Sequence, residues 1–152
     1  MSANKQTLSP TVNVVSFGFK KGDPPQANVV MDVRFLKNPF WVEELRPLTG
    51  RDQPVKDYVM EQSSAQEFIG NLKALVSHVI PVMFVNQVNI DSFTIALGCT
   101  GGQHRSVAVA EEVAKFLKEN YPDYKVSLSH RELDQIGTDC QSEESLALQE
   151  GG

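Results

Sequence analysis

Cys99 and Arg105 stand in the C-x5-R spacing that cysteine-dependent phosphatases use to hold a phosphate ester. In such enzymes a thiolate attacks phosphorus, and the arginine guanidinium binds two phosphate oxygens as a fork. The residues between and just after this pair are small or polar, namely Thr100, Gly101, Gly102, Gln103, His104 and Ser106. The two glycines allow backbone N–H groups to turn toward an anion. The segment therefore indicates either catalysis on a phosphate ester or binding of a phosphate without catalysis.

The elements on either side of this segment favour an anion site. The apolar run Ser92–Leu97 predicts a strand before it, and Ser106–Asn120 has the apolar periodicity of a helix after it. The first turn of a helix has free N–H groups and a positive dipole end, which attract a phosphate. Two alternatives remain open: Ser106 caps the helix instead of contacting an anion, and Cys99 is a buried thiol at the end of a strand instead of a nucleophile.

Catalysis would also need a general acid for the leaving oxygen. The candidates by residue type are Asp32, Asp52, Asp57 and His104. Their spacing from Cys99 does not select one of them. The histidine that commonly precedes the cysteine in such phosphatases is replaced by Gly98, which favours the buried-thiol interpretation.

Strands alternate with helices along the chain, which predicts one α/β domain with a mainly parallel sheet. The predicted strands are Thr11–Phe19, Val29–Phe35, Ser92–Leu97 and Lys125–Ser129. The predicted helices before the third strand are Val55–Met60 and Ala65 to about His78, with Phe68, Leu72, Leu75 and Val79 in the core. Pro81 is expected to end or kink the second of these helices.

Ligands of such sheets bind beyond the carboxyl ends of the strands. Cationic or polar side chains stand at each predicted strand end, so we expect phosphate-binding loops there, with Lys20, Arg34, His130 and Arg131 beside the glycine-rich loop. A long irregular segment, 37–54, adds Asn38 as a further ligand candidate and Trp41 as an expected core anchor.

The composition of the 152 residues is that of one globular domain. We expect a flexible lead-in over 1–10, a folded domain over 11–138 and an acidic, disordered tail over 139–152. Residues 132–152 hold six acidic and no basic side chains, which leaves 14 Lys and Arg against 13 Asp and Glu elsewhere. No apolar run reaches the length of a membrane span and no signal peptide is evident, so the cytoplasm is expected. Cys99 and Cys140 are expected to be free thiols, and the scattered histidines predict no metal site.

Five sequence blocks together carry a family resemblance. GCTGGQHRSV, with SFGFKKG, DVRFLKNPFW, LRPLTGRDQPV and SHREL, resembles the C-terminal domain of the RapZ family of RNase adapter proteins, which includes YvcJ-type relatives. The blocks occur in family order from about Val14 to Leu133. In that family a P-loop NTPase domain precedes this one; no G-x-x-x-x-G-K-[ST] motif occurs here, so the chain resembles a stand-alone C-terminal domain.

The resemblance implies a non-enzymatic adapter or sensor domain without a cofactor. It implies binding of a phosphorylated ligand, either an amino-sugar phosphate such as glucosamine-6-phosphate or a nucleotide, and, as in enterobacterial members, binding of RNA. It further implies assembly into homo-oligomers, a separate NTPase or ribonuclease as partner, and no membrane. Gln103 replaces a basic family residue, Phe40 a frequent His or Tyr, and the acidic tail a basic one. Since RNA affinity depends on neutralised phosphates, these departures predict weaker RNA binding.

Overall fold

Four parallel strands form the sheet in the computed structural model, which describes residues 9–86 and 90–138. The strands are β1 (Thr11–Gly18), β2 (Val29–Asp32), β3 (Ser92–Cys99) and β4 (Lys125–His130), in the order β2-β3-β1-β4. The helices of these described ranges are α1 (Gln53–Met60), α2 (Ser63–Asn86), α3 (Arg105–Asn120) and α4 (Arg131–Thr138), and short 3-10 turns cover Phe19–Lys21 and Pro39–Trp41. The predicted α/β class with a parallel sheet is confirmed.

The core lies around the two central strands, β1 and β3. Val12, Val14 and Phe17 of β1 are fully buried, as are Ile95 and Leu97 of β3. Each such side chain contributes about 1.5–3 kcal/mol by leaving water. Helix α3 covers the sheet with the apolar stripe that its sequence predicts, which consists of Val107, Ala110, Val113, Ala114 and Leu117.

Strand β2 ends earlier than its apolar sequence predicts. The strand stops at Asp32 because the next residues turn: the Arg34 N–H donates to Asp32 Oδ1 at 2.9 Å, and the Leu36 N–H donates to the Val33 carbonyl at 3.2 Å. The extension to Phe35 is therefore wrong. The turn brings the carbonyls of residues 34 and 36 toward the loop after β3.

Helix α2 continues through Pro81 to Asn86, so the expected end of the helix at Pro81 is wrong. Pro81 is on the exposed side of the helix, where water can bond the carbonyl that lacks an intrahelical partner. The buried side chains of α2 form one stripe, which consists of Ala65, Ile69, Leu72, Val76 and Ile80. Leu75, expected in the core, is 47% exposed.

Within the described part of the chain, α2 alone has the length and apolar composition of a membrane-crossing helix. The sequence expectation that no segment reaches that length is thus corrected. Five of its side chains pack into the core of the domain. A core helix of a folded domain passes the same test, so length and composition are weak evidence for a span.

Both ends of the expected domain division reach beyond the described residues. Residues 1–8 and the acidic tail 139–152, with Cys140, lie outside them. At the near boundary, the Pro10 carbonyl accepts a 2.8 Å hydrogen bond from the Lys125 N–H, which ties the start of β1 to the start of β4. Cys99 is buried and forms no disulfide within the described residues.

Candidate anion-binding site

The carboxyl ends of the strands meet at one edge, as parallel pairing requires. Gly18 of β1 is in register with Cys99 of β3, and Asp32 of β2 with Gly98. The loop 100–104 leaves this edge and α3 begins directly after it, at Arg105. The Lys20 N–H donates to the Thr100 carbonyl at 3.1 Å, which joins the chain after β1 to the loop after β3.

Two backbones touch where the loop passes Gly18. A Cβ atom at Gly18 would lie 2.5 Å from the carbonyl carbon of Gly101 and 2.8 Å from the backbone N of Gly102. Gly102 itself has a φ of +76°, in the left-handed region that favours glycine. The glycines are therefore required by the packing of the loop itself, in addition to the anion-binding role that the sequence predicts for them.

Arg105 is buried and holds the site together. Its Nη1 donates to the carbonyls of Arg34 and Leu36, each at 3.0 Å, and its Nη2 donates to Thr100 Oγ1 at 3.2 Å. Its Nε has no hydrogen-bond partner among the described residues. Burial lowers the pKa of Arg105, but a guanidinium stays charged at neutral pH. This side chain thus joins the turn after β2 to the loop and keeps one buried donor unused.

His104 is the second buried cationic candidate, and its side chain is almost fully enclosed. Neither ring nitrogen has a hydrogen-bond partner in the described part of the structure. Burial lowers the pKa of His104, and the nearby backbone of Leu48 and Arg46 opposes this shift only in part. The imidazole is therefore neutral at pH 7 and offers one donor and one acceptor.

Cys99 is 0% exposed. Its Sγ lies 3.1 Å from Ser106 Oγ and accepts a hydrogen bond from the Ser106 N–H at 3.4 Å. Ser106, considered as a cap, lies instead inside the first turn, and His104 occupies the cap position without a side-chain cap bond. Because the sulfur is enclosed, Cys99 fits the interpretation as a buried thiol better than the interpretation as a nucleophile.

The acid candidates are bonded to other groups. Asp32 forms a 2.7 Å salt bridge with Arg34, and this bond lowers the pKa of the carboxyl. Asp52 accepts from the Thr49 N–H at 2.8 Å. Asp57 accepts from the Gln53 side-chain amide at 2.8 Å. None of these contacts directs a carboxyl group toward Cys99.

The other predicted ligand residues differ in their exposure and in their contacts. Lys20 is exposed beside Thr100, and Arg34 is half exposed with its guanidinium 4.1 Å from the centre of the Phe19 ring. The Asn38 side chain accepts from the Phe40 N–H at 3.0 Å. Gln103 is buried. Among the described residues, the rim of the site therefore has the exposed Lys20 and the salt-bridged Arg34 as its cations.

Trp41, expected as a core anchor, is 76% exposed, so that expectation is wrong. It follows the carboxyl end of β2 and contacts the Phe40 ring edge-on. Its indole face remains available for stacking at this edge of the sheet.

Arg131 lies at the other side of the loop, next to Gly18. Its Nη2 forms a 2.8 Å salt bridge with Glu132, and its Nη1 donates to the Asp23 carbonyl at 2.6 Å. Glu132 is buried, accepts from the Gly18 N–H at 2.9 Å, and its Cγ would touch a Cβ at Gly102. An internal carboxylate thus already lies against the glycines, which sequence analysis missed.

Sequence could have pointed to Glu132 through its place after Arg131. Because Glu132 is the next residue after Arg131, the arginine can pair with its carboxylate even where the carboxylate is buried.

His130 is directed away from the loop and into a buried chain of polar groups. Its Nδ1 lies 2.7 Å from Ser16 Oγ, and its Nε2 lies 2.8 Å from Glu111 Oε2. Glu111 also pairs with Lys56 at 3.4 Å. An ionised Glu111 accepts from Nε2–H, so Nδ1 accepts from the Ser16 hydroxyl and the imidazole is neutral. The chain connects β1, β4, α3 and α1.

The hydrogen bonds of His130 to Ser16 and Glu111 predict that acid destabilises the fold. Burial lowers the pKa of His130 below its ordinary value of 6.5, and the hydrogen bond to Glu111 opposes this shift only in part. As the pH falls below 6.5, His130 binds a proton in the unfolded protein but remains neutral in the folded protein. The free energy of unfolding therefore decreases. We expect His130 to contribute a loss in the free energy of unfolding between pH 7 and 5.5, with an upper limit of about 1 kcal/mol if the folded histidine takes up no proton.

Urea unfolding at the two pH values measures this loss. His130→Gln is expected to reduce it, and His78→Gln, which alters an exposed histidine, serves as the matched control. An identical pH dependence in His130→Gln and in the unmodified chain would contradict the assignment.

Within 9–86 and 90–138, no three His, Cys, Asp or Glu side chains are grouped so that they could hold a metal ion.

The fold and the strand-end loop define a parallel α/β domain with a glycine-rich loop at a helix start. The chain matches the RapZ C-terminal domain family over residues 10–134, and it belongs to that family.

Three curated relatives illustrate the similarity. The chain is 49% identical over 123 residues to a nucleotide-binding protein of Corynebacterium efficiens, with 81% of this chain and 38% of the relative covered. It is 52% identical over 123 residues to one of Clavibacter michiganensis, covering 80% and 41%. It is 47% identical over 122 residues to one of Thermoanaerobacter, covering 80% and 42%. The chain thus spans about two fifths of the length of these relatives.

Proposed function

We propose that this domain binds a phosphorylated small molecule at the loop 100–104 and the start of α3, without catalysis. The observation that carries the proposal is a pair of enclosed side chains at a helix start. Arg105 Nε and both ring nitrogens of His104 have no hydrogen-bond partner of normal geometry among residues 9–86 and 90–138. Unpaired buried polar groups cost about 1–3 kcal/mol each, which a bound anion or sugar would recover. The names of the relatives, nucleotide-binding proteins, agree with a phosphorylated ligand.

Within this class we propose an amino-sugar phosphate, with glucosamine-6-phosphate as the first candidate. The family resemblance suggests it, and the rim has suitable groups. Lys20 supplies a cation for phosphate oxygens, and Asp32 supplies an exposed carboxylate that can accept from hydroxyl and ammonium groups. Trp41 offers an apolar face for a sugar or a base.

Calorimetry with glucosamine-6-phosphate, glucose-6-phosphate and a nucleoside monophosphate tests both levels of the proposal. Binding of glucosamine-6-phosphate in preference to glucose-6-phosphate would support the amino sugar, and preference for the nucleotide would replace it. No binding to any of the three would overturn the ligand claim. Turnover of an aryl phosphate that is lost in Cys99→Ser would overturn the claim of no catalysis.

Arg105→Ala is expected to weaken binding of the best of these ligands by about 1.5–3 kcal/mol, since it removes a charge-assisted contact. Circular dichroism establishes first that the variant is folded, because Arg105 also bonds two carbonyls. Arg51→Ala is the matched control: Arg51 is exposed and pairs with Asp134 at 3.3 Å. Equal binding by both variants would remove Arg105 from the site.

We also propose weak RNA binding at the same edge of the sheet. The exposed Lys20, Lys21 and Lys37 follow the carboxyl ends of β1 and β2 beside the exposed Trp41, and cations with an aromatic platform suit single-stranded RNA. A mobility assay over a salt series tests this, and a slope near zero would count against phosphate contacts. A chain shortened to end at Thr138 keeps Glu132 and loses the acidic tail; we expect it to bind RNA more tightly. A separate NTPase or ribonuclease as partner is part of the same proposal.

A further inference from the structure

Strand β4 lies at one edge of the sheet and has a free side. In the order β2-β3-β1-β4 it pairs with β1 alone. The Lys125 N–H donates to the Pro10 carbonyl at 2.8 Å, so Lys125 and every second residue after it direct their backbone groups toward β1. The backbone groups of Val126 and Leu128 therefore face outward. Among residues 9–86 and 90–138 they have no hydrogen-bond partner on that side.

The free stretch of this edge ends where α4 begins. The next outward N–H along the strand, that of His130, donates to Asp134 Oδ2 at 3.3 Å. Native proteins commonly protect an exposed edge with a proline, a bulge or a covering segment. Neither a proline nor a bulge interrupts β4, because its register with β1 is continuous from Lys125 to His130. The middle of the edge thus offers two N–H and two C=O groups to an added strand.

A groove of about 290 Å³ lies beside this edge, between β4 and α3. Its lining residues are Glu111, Ala114, Lys115, Lys118, Glu119 and Leu128. Ala114 and Leu128 supply its apolar surface. Because side chains alternate between the two faces of a sheet, an added strand would place every second side chain in the groove. The groove can therefore select side chains while the edge binds the backbone.

The charged groups of the groove favour a carboxylate as the ligand. Lys115 and Lys118 are exposed, and neither forms an ion pair within the described part of the chain. Glu111 is already bonded to the buried histidine of β4 and to a lysine of α1. Glu119 has no ion pair in the same ranges, so the unpaired charges of the lining are two cations and one anion. An acidic side chain would find a partner here, whereas a basic one would be repelled.

We propose that the free edge of β4 and this groove bind an extended segment of a partner protein with apolar side chains at two alternate positions and a carboxylate at the next. The backbone of the segment pairs with Val126 and Leu128, an apolar side chain contacts Leu128, and the carboxylate pairs with Lys115 or Lys118. A second copy of this chain is a poorer occupant, because its own β4 edge brings the same two lysines to the contact. The groove shares no residue with the anion site, so the proposal is independent of the proposed ligand.

Fluorescence anisotropy of the full chain with the peptide fluorescein-Thr-Val-Thr-Val-Thr-Glu-amide tests the pairing. We expect saturable binding with a dissociation constant of about 100 µM or less, since the contact is small. The same peptide with Lys in place of Glu is expected to bind at least about fivefold more weakly. No binding of the acidic peptide up to about 1 mM would overturn the proposal.

Methylation of the peptide nitrogens separates backbone pairing from attraction between side chains. One version methylates the nitrogens of the two valines, and the other those of the second and third threonines. Successive residues of a strand face opposite edges, so only one version blocks the N–H groups that face β4. We expect that version to bind about tenfold more weakly or not at all, and the other to bind like the parent peptide. Equal effects of the two versions would overturn the pairing at the edge.

Lys118→Glu is the matched change in the chain. It is expected to weaken binding of the acidic peptide at least about fivefold and to strengthen binding of the version that ends in Lys. Lys125→Glu is the control, because this exposed lysine projects from the face of the sheet opposite to Leu128. Circular dichroism establishes that both variants are folded. Identical binding of both peptides by the two variants would overturn the assignment to the groove.

Two other occupants are distinguished by related measurements. Peptide binding by a chain that ends at Thr138, without binding by the full chain, would assign the groove to residues 139–152 of this chain and overturn the partner protein as occupant. A dimer in sedimentation velocity that is lost in Lys118→Glu would assign the groove to a second copy, with the same consequence.

Discussion

Replacing Gly18 by alanine will displace the loop 100–104 and lower the free energy of unfolding by about 3 kcal/mol or more. The added methyl would lie 2.5 Å from the Gly101 carbonyl carbon and 2.7 Å from its oxygen. Both atoms belong to the backbone, which cannot rotate away as a flexible side chain can. The Gly18 N–H also donates to Glu132, so movement of β1 would break that bond as well. Stability and ligand binding should therefore be lost together.

Urea unfolding and calorimetry with glucosamine-6-phosphate measure these two effects. Gly70→Ala is the matched control, because the same methyl would meet nothing within 4 Å there, and it should raise stability by about 0.5–1 kcal/mol. A Gly18→Ala variant with unchanged stability would show that the two backbones can separate without cost.

Replacing Glu132 by alanine is expected to cost about 2–3 kcal/mol and to create a stronger anion site. The change leaves the buried Gly18 N–H without its acceptor and Arg131 without its partner. Because Arg131 is partly exposed, water can solvate it, and the cost stays below that of a fully buried pair. The vacated space lies against the glycines, between two unpaired donors.

Added anions should then restore part of the stability that the Glu132 carboxylate contributes in the unmodified chain. We expect phosphate or acetate to raise the thermal midpoint of Glu132→Ala more than that of the unmodified chain, since binding to the folded state stabilises it. Asp134→Ala is the control: its exposed carboxylate pairs with Arg51 and accepts from the His130 N–H at 3.3 Å, so a change of about 1 kcal/mol or less is expected. Equal responses to anions in all three proteins would show that Glu132 does not substitute for a ligand.

Local patterns predicted much of this domain because they depend on few neighbours. The apolar stripe of α3 and the parallel sheet follow from spacing alone, and so does the position of the glycine-rich loop between β3 and α3. Strand order also explains why residues at four strand ends approach one edge. These features needed no knowledge of which side chains touch.

Features that depend on side-chain direction were not predictable. His130 is the last residue of β4, one position inside the expected strand end, and its side chain is directed to Ser16 and Glu111 instead of the loop. Arg105 has the residue type of a phosphate ligand, yet much of its guanidinium bonds carbonyls 69 and 71 positions away. Leu75 fits a helical core stripe by its spacing and lies on the outer side. In each case the tertiary contact that decides the role is remote in sequence.

The strand order has a consequence for folding during synthesis. β1 is made first but lies inside the sheet, between β3 and β4, which come from the second half of the chain. Its pairing with β3 joins residues 81 positions apart, as the side-chain bond from Asn13 to Thr94 illustrates. At about 5–20 residues per second, the apolar strand emerges from the ribosome seconds before its neighbours do. Nascent β1 therefore stays without its strand partners during this interval, in which a chaperone would shield its apolar side chains.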